Sequence, residues 1–395
     1  MNIARLCSDL IRIKSENPPG DTRDVIQYIR EFTDSLGIPT QVIRGRGGRY
    51  NLVSKKPTGQ LLLCGHVDVV PALHDGWNDD PFSGKIVDGK VLGRGATDMK
   101  GGCASILWAC GRFIDKEDVL PADLAFVCDE ETSGTYGIRR LLDMHLLIPC
   151  DCIIAEPTPS LNPNIGQKGL MRLRLKFSGE PGHGSLYPVQ GVSAIMEAYA
   201  ILQFLNELHQ TRYEPSDPDL ANLIDESSAI LNELLEMDEA DIILSHLMFN
   251  PGKIEGGEKA NIIAQRCTLE LDLRVPWGCS MTSLLEAIRV RAIRAEITMG
   301  TMSEPNRTPQ DARVVSRLLQ EIQRVYGRPP TPIVQWAASD ARYLRKEGFP
   351  VVEYGPGEIP TLHAINEYVT IASLEKASKV YQGMMEQYLA DRGSV

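Results

Sequence analysis

Leu62-Leu63-Cys64-Gly65-His66-Val67-Asp68-Val69-Val70-Pro71 carries an apolar run straight into a histidine, with a carboxylate two residues later. An apolar run of this kind reads as a strand buried on both faces, as in parallel sheets. Two ligand-type side chains then fall where the chain leaves the strand. Four further segments repeat the theme at the end of an apolar run or the start of a helix. They are Asp98 within Gly93-Arg94-Gly95-Ala96-Thr97-Asp98-Met99-Lys100-Gly101-Gly102, the pair Glu130-Glu131, Glu156 in Ala155-Glu156-Pro157-Thr158, and His363 in His363-Ala364-Ile365-Asn366-Glu367. Five dispersed segments, each supplying one or two such side chains, read as a metal site assembled by the fold.

The surrounding pattern alternates strands and helices. Val25, Ile26, Ile29, Phe32 and Leu36 recur at helical spacing, and Gly37 is a C-terminal stop. Residues 60–67, 123–128 and 152–155 read as strands, and 99–114 as a helix opened by Thr97 or Asp98. This is an α/β layer structure with a largely parallel sheet, its ligands at strand C-termini. The pattern changes near Gly169. Residues 170–177 and 267–275 alternate apolar and charged side chains, as half-solvated antiparallel strands do, with helices expected over 192–208 and from Ser280. Residues 296–299 complete a small α+β domain inserted into the larger one. The acidic stretch 214–241 reads as a peripheral insertion. From Pro309 the helix–strand alternation resumes, and His363 returns to the first site.

Whole-chain properties narrow the classes. At 395 residues two domains are expected, and 43% hydrophobic with 24% charged residues is ordinary globular composition. A formal charge of −11 argues against nucleic acid or an anionic membrane as partner. No apolar run reaches the roughly 20 residues of a membrane span. Met1-Asn2-Ile3-Ala4-Arg5 lacks a signal-peptide pattern, and nine scattered cysteines suit a reducing compartment, so a cytoplasmic protein is expected.

A pair of divalent cations needs one shared ligand and terminal ligands for each ion. Asp98, with two carboxylate oxygens on a glycine-flanked turn, is the best bridge. Mixed nitrogen and oxygen ligands without thiolate fit zinc, with cobalt or manganese as substitutes. Asp68 is placed to accept the second ring N–H of His66 and so fix its tautomer. Glu130 and Glu131 are neighbours on an extended chain, so they face apart and serve different ends. Each segment has an ordinary explanation when taken alone: a structural histidine at His66, a helix cap at Asp98, a solvated loop at Glu130-Glu131. Five coinciding outweigh that. His183, in Gly182-His183-Gly184, is either a turn residue or a functional one, while His74, His145, His209 and His246 read as structural or exposed. Gly93-Arg94-Gly95 lacks the remainder of a phosphate-binding loop, and no G-x-S-x-G elbow supports a serine triad.

With these motifs in this order, nearly the whole chain resembles the M20 metallopeptidase family, in its acetylornithine deacetylase and succinyl-diaminopimelate desuccinylase branch. The resemblance implies a zinc-hydrolase catalytic domain over 1–169 and 303–395. It also implies an inserted ferredoxin-like domain over 170–302, acting as a lid and making a homodimer. His66, Asp98 and Glu156 would hold one metal, and Asp98, Glu131 and His363 the other. Glu130 would be the general base, and the Asp98–Met99 peptide would be cis. His183 matches the lid histidine that polarises the scissile carbonyl, and Asn261 and Arg274 sit where relatives hold substrate. Two segments depart from the pattern: Gly166-Gln167-Lys168-Gly169 lacks a desuccinylase's paired arginines, and 338–342 fits neither branch's substrate loop. The expectation is therefore hydrolysis of an N-acyl amino acid in amino-acid biosynthesis, with the acyl group open. A dipeptidase or carboxypeptidase of the same family, and a non-catalytic metal-dependent binding protein, are the alternatives.

Overall fold

The computed structural model describes residues 2–72 and 75–392, so His74 lies outside the described residues. The chain divides into two compact units. The first comprises Met1–Ile165, Arg307–Ile333 and Ser339–Val395, and the second Gly166–Asn306 with Val334–Ala338. The second unit thus runs slightly past the expected 170–302 at both ends and takes in a short later segment.

In the first unit four strands lie side by side in the order Asp123–Val127, Leu61–His66, Asp151–Ile154, Val351–Glu353, all parallel. Their residues are buried throughout, which is why they read as continuous apolar runs. Antiparallel strands Tyr50–Ser54 and Thr40–Arg44 extend the sheet beyond Asp123–Val127. Helices Ile3–Arg12, Gly101–Ile114, Arg313–Tyr326 and Ile371–Arg392 form a layer packed on the central strands. Register positions the site. His66 pairs with Val127, and Cys64 with Ile154, so three strand C-termini end at nearly the same level. The next residues from each, Asp68, Glu130-Glu131 and Glu156, therefore emerge together.

The second unit is an antiparallel sheet in the order Met248–Gly256, Arg266–Val275, Gly169–Ser178, Ala295–Ser303. Its inward side chains, among them Leu173, Leu175, Phe177, Leu269, Leu271 and Leu273, pack with Ala198, Ile201 and Leu205 of helix Ala194–His209 and with Leu284 and Ile288 of helix Met281–Arg291. On the opposite face Arg172 pairs with Asp272 and Arg174 with Glu270 across the strands. The sequence reading omitted the strand Met248–Gly256. It contains Pro251 and Gly252, runs along a sheet edge and is largely exposed, so no apolar period marks it.

The acidic stretch folds as helices Pro218–Leu235 and Ala240–Ser245. Leu220, Leu223, Ile224 and Leu231 are buried, and Arg212 ties Glu214, Asp225 and Asp241 together. Ser227 Oγ accepts the Val334 N–H, so the helix is built into its unit. All nine cysteines are free thiols. Among the described residues no helix is long and apolar enough to cross a membrane.

Candidate metal centre

His66 closes a central strand, and its Nε2 lies 3.0 Å from Asp98 Oδ1 and 3.8 Å from Glu156 Oε1. His363 Nε2 lies 3.1 Å from the other oxygen, Asp98 Oδ2, and 3.4 Å from Glu131 Oε2. Asp98 thus turns one carboxylate oxygen toward each imidazole. Ligand atoms of His66, Asp98 and Glu156 fall within 4.8 Å of one another, as do those of Asp98, Glu131 and His363. Glu130 belongs to neither group. The backbone around Asp98 departs from helical angles before the helix Gly101–Ile114 begins, and its peptide to Met99 is cis, as the resemblance implies.

Asp68 acts differently from the expectation. His66 Nδ1 lies 2.9 Å from the backbone carbonyl of Asp68, while the Asp68 carboxylate is 3.6 Å away. That carboxylate accepts the N–H groups of Glu130 and Glu131 and the Asn17 amide. The residue therefore orients the imidazole through its backbone and the two-glutamate loop through its side chain. Asp129, at φ +72°, makes the turn into that loop and is held by Thr132 and the Tyr136 N–H.

The electrostatics are unbalanced. Asp68, Asp98, Glu130, Glu131 and Glu156 gather around two imidazoles. Burial opposes a charge on His66, yet Glu156, Asp98 and Asp68 raise its pKa well above the ordinary value. Hydrogen bonds to Asp98 and Glu131 push His363 up to about 10. Burial raises Glu130 and Glu156 well above the usual carboxylate range, with Asp340 adding to the effect on Glu130. Burial, then Asp98, raises Glu131, and its Oε1 is buried without a hydrogen-bond partner. Such a set of oxygen donors fits divalent cations, which remove the mutual repulsion and give the orphaned oxygen a partner.

The sequence reading missed several polar residues here. Asp340 is buried with both carboxylate oxygens unpartnered, and burial pushes it up to about 7. Arg342 donates to the Ser339 carbonyl and faces Glu130 electrostatically. Arg94 and Glu367 form a buried ion pair at 2.5 Å. Charged residues inside otherwise apolar or glycine-rich segments were the signal available for these.

The remaining predicted residues belong to the second unit. His183 is exposed on a glycine-flanked loop, with Nδ1 2.8 Å from Ser185 Oγ. Asn261 neighbours it, its carbonyl accepting the Gly184 N–H, and its side chain is exposed. Arg274 is half-buried and donates to Asp272 at 2.8 Å.

The sequence profile of Peptidase family M20/M25/M40 matches residues 62–387, the span that carries both ligand groups. The chain belongs to that family. This M20 hydrolase is 28% identical to a succinyl-diaminopimelate desuccinylase of Methylobacterium radiotolerans, over 97% of this chain and 96% of that one. It is equally close, at 28%, to an acetylornithine deacetylase of Vibrio vulnificus over 95% of each chain. Among solved structures, an M20 family metallo-carboxypeptidase from Sulfolobus solfataricus superposes with a TM-score of 0.79 at 20% identity, over 98% of this chain and 99% of that one. A Bacillus subtilis M20 protein described as a dinuclear metal binding peptidase gives 0.66 at 14%, over 98% of each.

Proposed function

We propose that this M20 hydrolase cleaves the amide bond of an N-acyl amino acid to a carboxylate and a free amine, using two divalent cations, best fitted by zinc. His66, Asp98 and Glu156 hold one cation; Asp98, Glu131 and His363 hold the other. The observation that carries the proposal is the Asp98 carboxylate, one oxygen at 3.0 Å from one imidazole and the other at 3.1 Å from the second. When bound, the cations supply Lewis-acid polarisation and a nucleophile available near neutral pH.

Glu130 takes a proton from the attacking water and delivers it to the amide nitrogen as the C–N bond breaks. Its location supports both halves of that role. Burial raises its proton affinity, and it lies outside both ligand groups, leaving its carboxylate for proton transfer. Asp68 holds the backbone N–H groups of Glu130 and Glu131 and so fixes where both side chains start. His183 is proposed as a donor to the scissile carbonyl, with Asn261 and Arg274 holding substrate and the active form a homodimer. Those assignments rest on the family resemblance, supported by the exposure of His183 and Asn261.

The relatives named as desuccinylase and deacetylase favour an acylated amino acid over a peptide. A base beside the ligand groups separates this reading from that of a metal-dependent binding protein, which needs none. The deciding experiment measures primary-amine release from N-succinyl-diaminopimelate, N-acetylornithine, other N-acyl amino acids and dipeptides, before and after chelation and zinc restoration. Chelator-sensitive turnover of an acyl amino acid is expected. Turnover of dipeptides alone would move the assignment to a peptidase. Silence with two cations bound would overturn the hydrolytic reading.

A further inference from the structure

Arg94 and Glu367 are almost fully buried, 4% and 1% exposed, and Glu367 belongs to neither ligand group. Each lies four positions from a candidate ligand: Arg94 before Asp98, Glu367 after His363. Their contacts cross over. Arg94 Nη1 donates to Glu367 Oε2 at 2.5 Å, and its Nη2 donates to the His363 carbonyl at 3.2 Å. Glu367 Oε2 also accepts the Gly95 N–H at 3.1 Å, and Oε1 accepts the N–H groups of Thr97 at 2.8 Å and of Asp98 at 3.1 Å. The arginine of the Asp98 segment therefore holds the His363 backbone, while the glutamate of the His363 segment holds the Asp98 backbone. Trp77 covers the guanidinium, its ring centroid 5.3 Å away. Thr97 Oγ donates to the Tyr368 carbonyl at 2.7 Å, a further tie between the two segments.

We propose that Arg94 and Glu367 are positioning residues, a reciprocal clasp that sets the spacing between Asp98 and His363 and so prepares the second cation site. The inference rests on the two-cation reading above and deepens it. His66 needs no such device, because it closes a buried central strand and is 2% exposed. His363 is the opposite case. Its side chain is 52% exposed, its φ is +56°, and it stands in a loop rather than in a regular element. A non-glycine residue held at positive φ needs its surroundings to hold it there. The Arg94 fork does so at the carbonyl of that very residue. The clasp should therefore act unequally on the two cations.

Arg94→Lys isolates the effect. Lysine keeps the charge that balances Glu367, so Glu367 can still accept its three N–H bonds. A single ammonium cannot reproduce the planar fork that spans Glu367 and the His363 carbonyl. The experiment titrates Zn2+ calorimetrically into chelator-treated wild type, Arg94→Lys and His363→Ala, the last marking which step belongs to the second site. Loss of an orienting partner of this kind costs about ten- to a hundredfold in metal affinity. The expected result is a second binding step weakened by about that factor in Arg94→Lys, with the first step and the melting temperature of the metal-free protein nearly unchanged. An unchanged second step would overturn the clasp, and so would a parallel fall in both steps, which would mark a general structural role. If Arg94→Lys does not fold, Glu367→Asp makes the same test, because it keeps the ion pair and shortens the reach to the backbone. The wild-type count is a separate readout: fewer than two zinc ions per chain would sink the two-cation reading itself, and the clasp with it.

Discussion

Gly102, in the first turn of the helix Gly101–Ile114, tests how tightly helix packing sets the site. A Cβ at this position would stand 2.3 Å from the Ala155 carbonyl oxygen and 2.9 Å from the Ala155 Cβ. Roughly 1 Å of movement is needed to restore ordinary contact. Neither obstacle is the free end of a flexible side chain. The helix must back away, or the end of the strand Asp151–Ile154 must shift, and Ala155 leads directly into Glu156. Overpacking of this sort costs about 1–3 kcal/mol, offset by up to ~1 kcal/mol of helix propensity on replacing glycine. With the full propensity gain the net loss for Gly102→Ala is about 0–2 kcal/mol, a fall of up to about 8 °C in melting temperature for a unit of this size, and about 1–3 kcal/mol below a variant that gains propensity without the overlap. Misplacing a ligand by ~1 Å can cost about a hundredfold in turnover.

Gly111→Ala in the same helix is the control. Its added Cβ meets Leu36 and Phe32 at 3.7–4.0 Å, ordinary contact distances, so it keeps the propensity gain without the overlap. Thermal melts of both variants, with turnover and zinc titration, make the comparison. The reasoning fails if Gly102→Ala melts as high as Gly111→Ala with wild-type turnover, for then the strand end would yield without consequence.

Glu130→Gln should keep the fold and two cations while losing about 10²- to 10⁴-fold in turnover, and substantial activity in a zinc-replete sample would remove Glu130 as base. His183→Ala should lower turnover by about 10²- to 10³-fold at unchanged cation count, and wild-type kinetics would make it a turn residue. Loading the metal-free protein at pH 7.5 should release protons, because His363, pushed up to about 10, is protonated there and must be neutral to bind, and the raised His66, Glu131 and Glu156 add to the release. Apparent cation affinity should consequently rise with pH up to about 10, where His363 loses its proton in the metal-free protein. Calorimetry in two buffers of different ionisation heat counts the protons, and a value near zero would contradict the charge state argued for the imidazoles.

What the sequence reveals of this fold follows from burial. The strands at Leu61–His66, Asp123–Val127 and Asp151–Ile154 are covered on both faces, so their apolar runs are unbroken, and their ligands stand out at the ends. The strand Gly169–Ser178 alternates because only one of its faces is packed. Met248–Gly256 has neither signature, since an exposed edge strand buries too little to impose a pattern. The Arg94–Glu367 pair spans 273 residues, and no local period records a contact at that separation. The role of Asp68 was obscured for another reason. Its spacing from His66 points to the ring, but the backbone carbonyl reaches the ring first and leaves the carboxylate for the loop of Glu130 and Glu131.

The same unit supplies its own comparison for what the acidic cluster means. Several buried or half-buried carboxylates that brace this fold have guanidinium partners: Glu367 has Arg94, Glu353 has Arg345, Asp391 has Arg317. At the strand ends the pattern breaks. Asp98, Glu131 and Glu156 face imidazoles, which are weak cations that burial discourages, and one oxygen of Glu131 has no partner at all. An ion-pair network built like those would have placed an arginine there. Ligand groups that must bind a dication cannot be saturated in advance by a permanent cation, because the two would compete for the same oxygens. Among the described residues no guanidinium pairs with Asp98, Glu131 or Glu156, as a cation site requires, and this separates the cluster from the ion pairs that brace the surrounding fold.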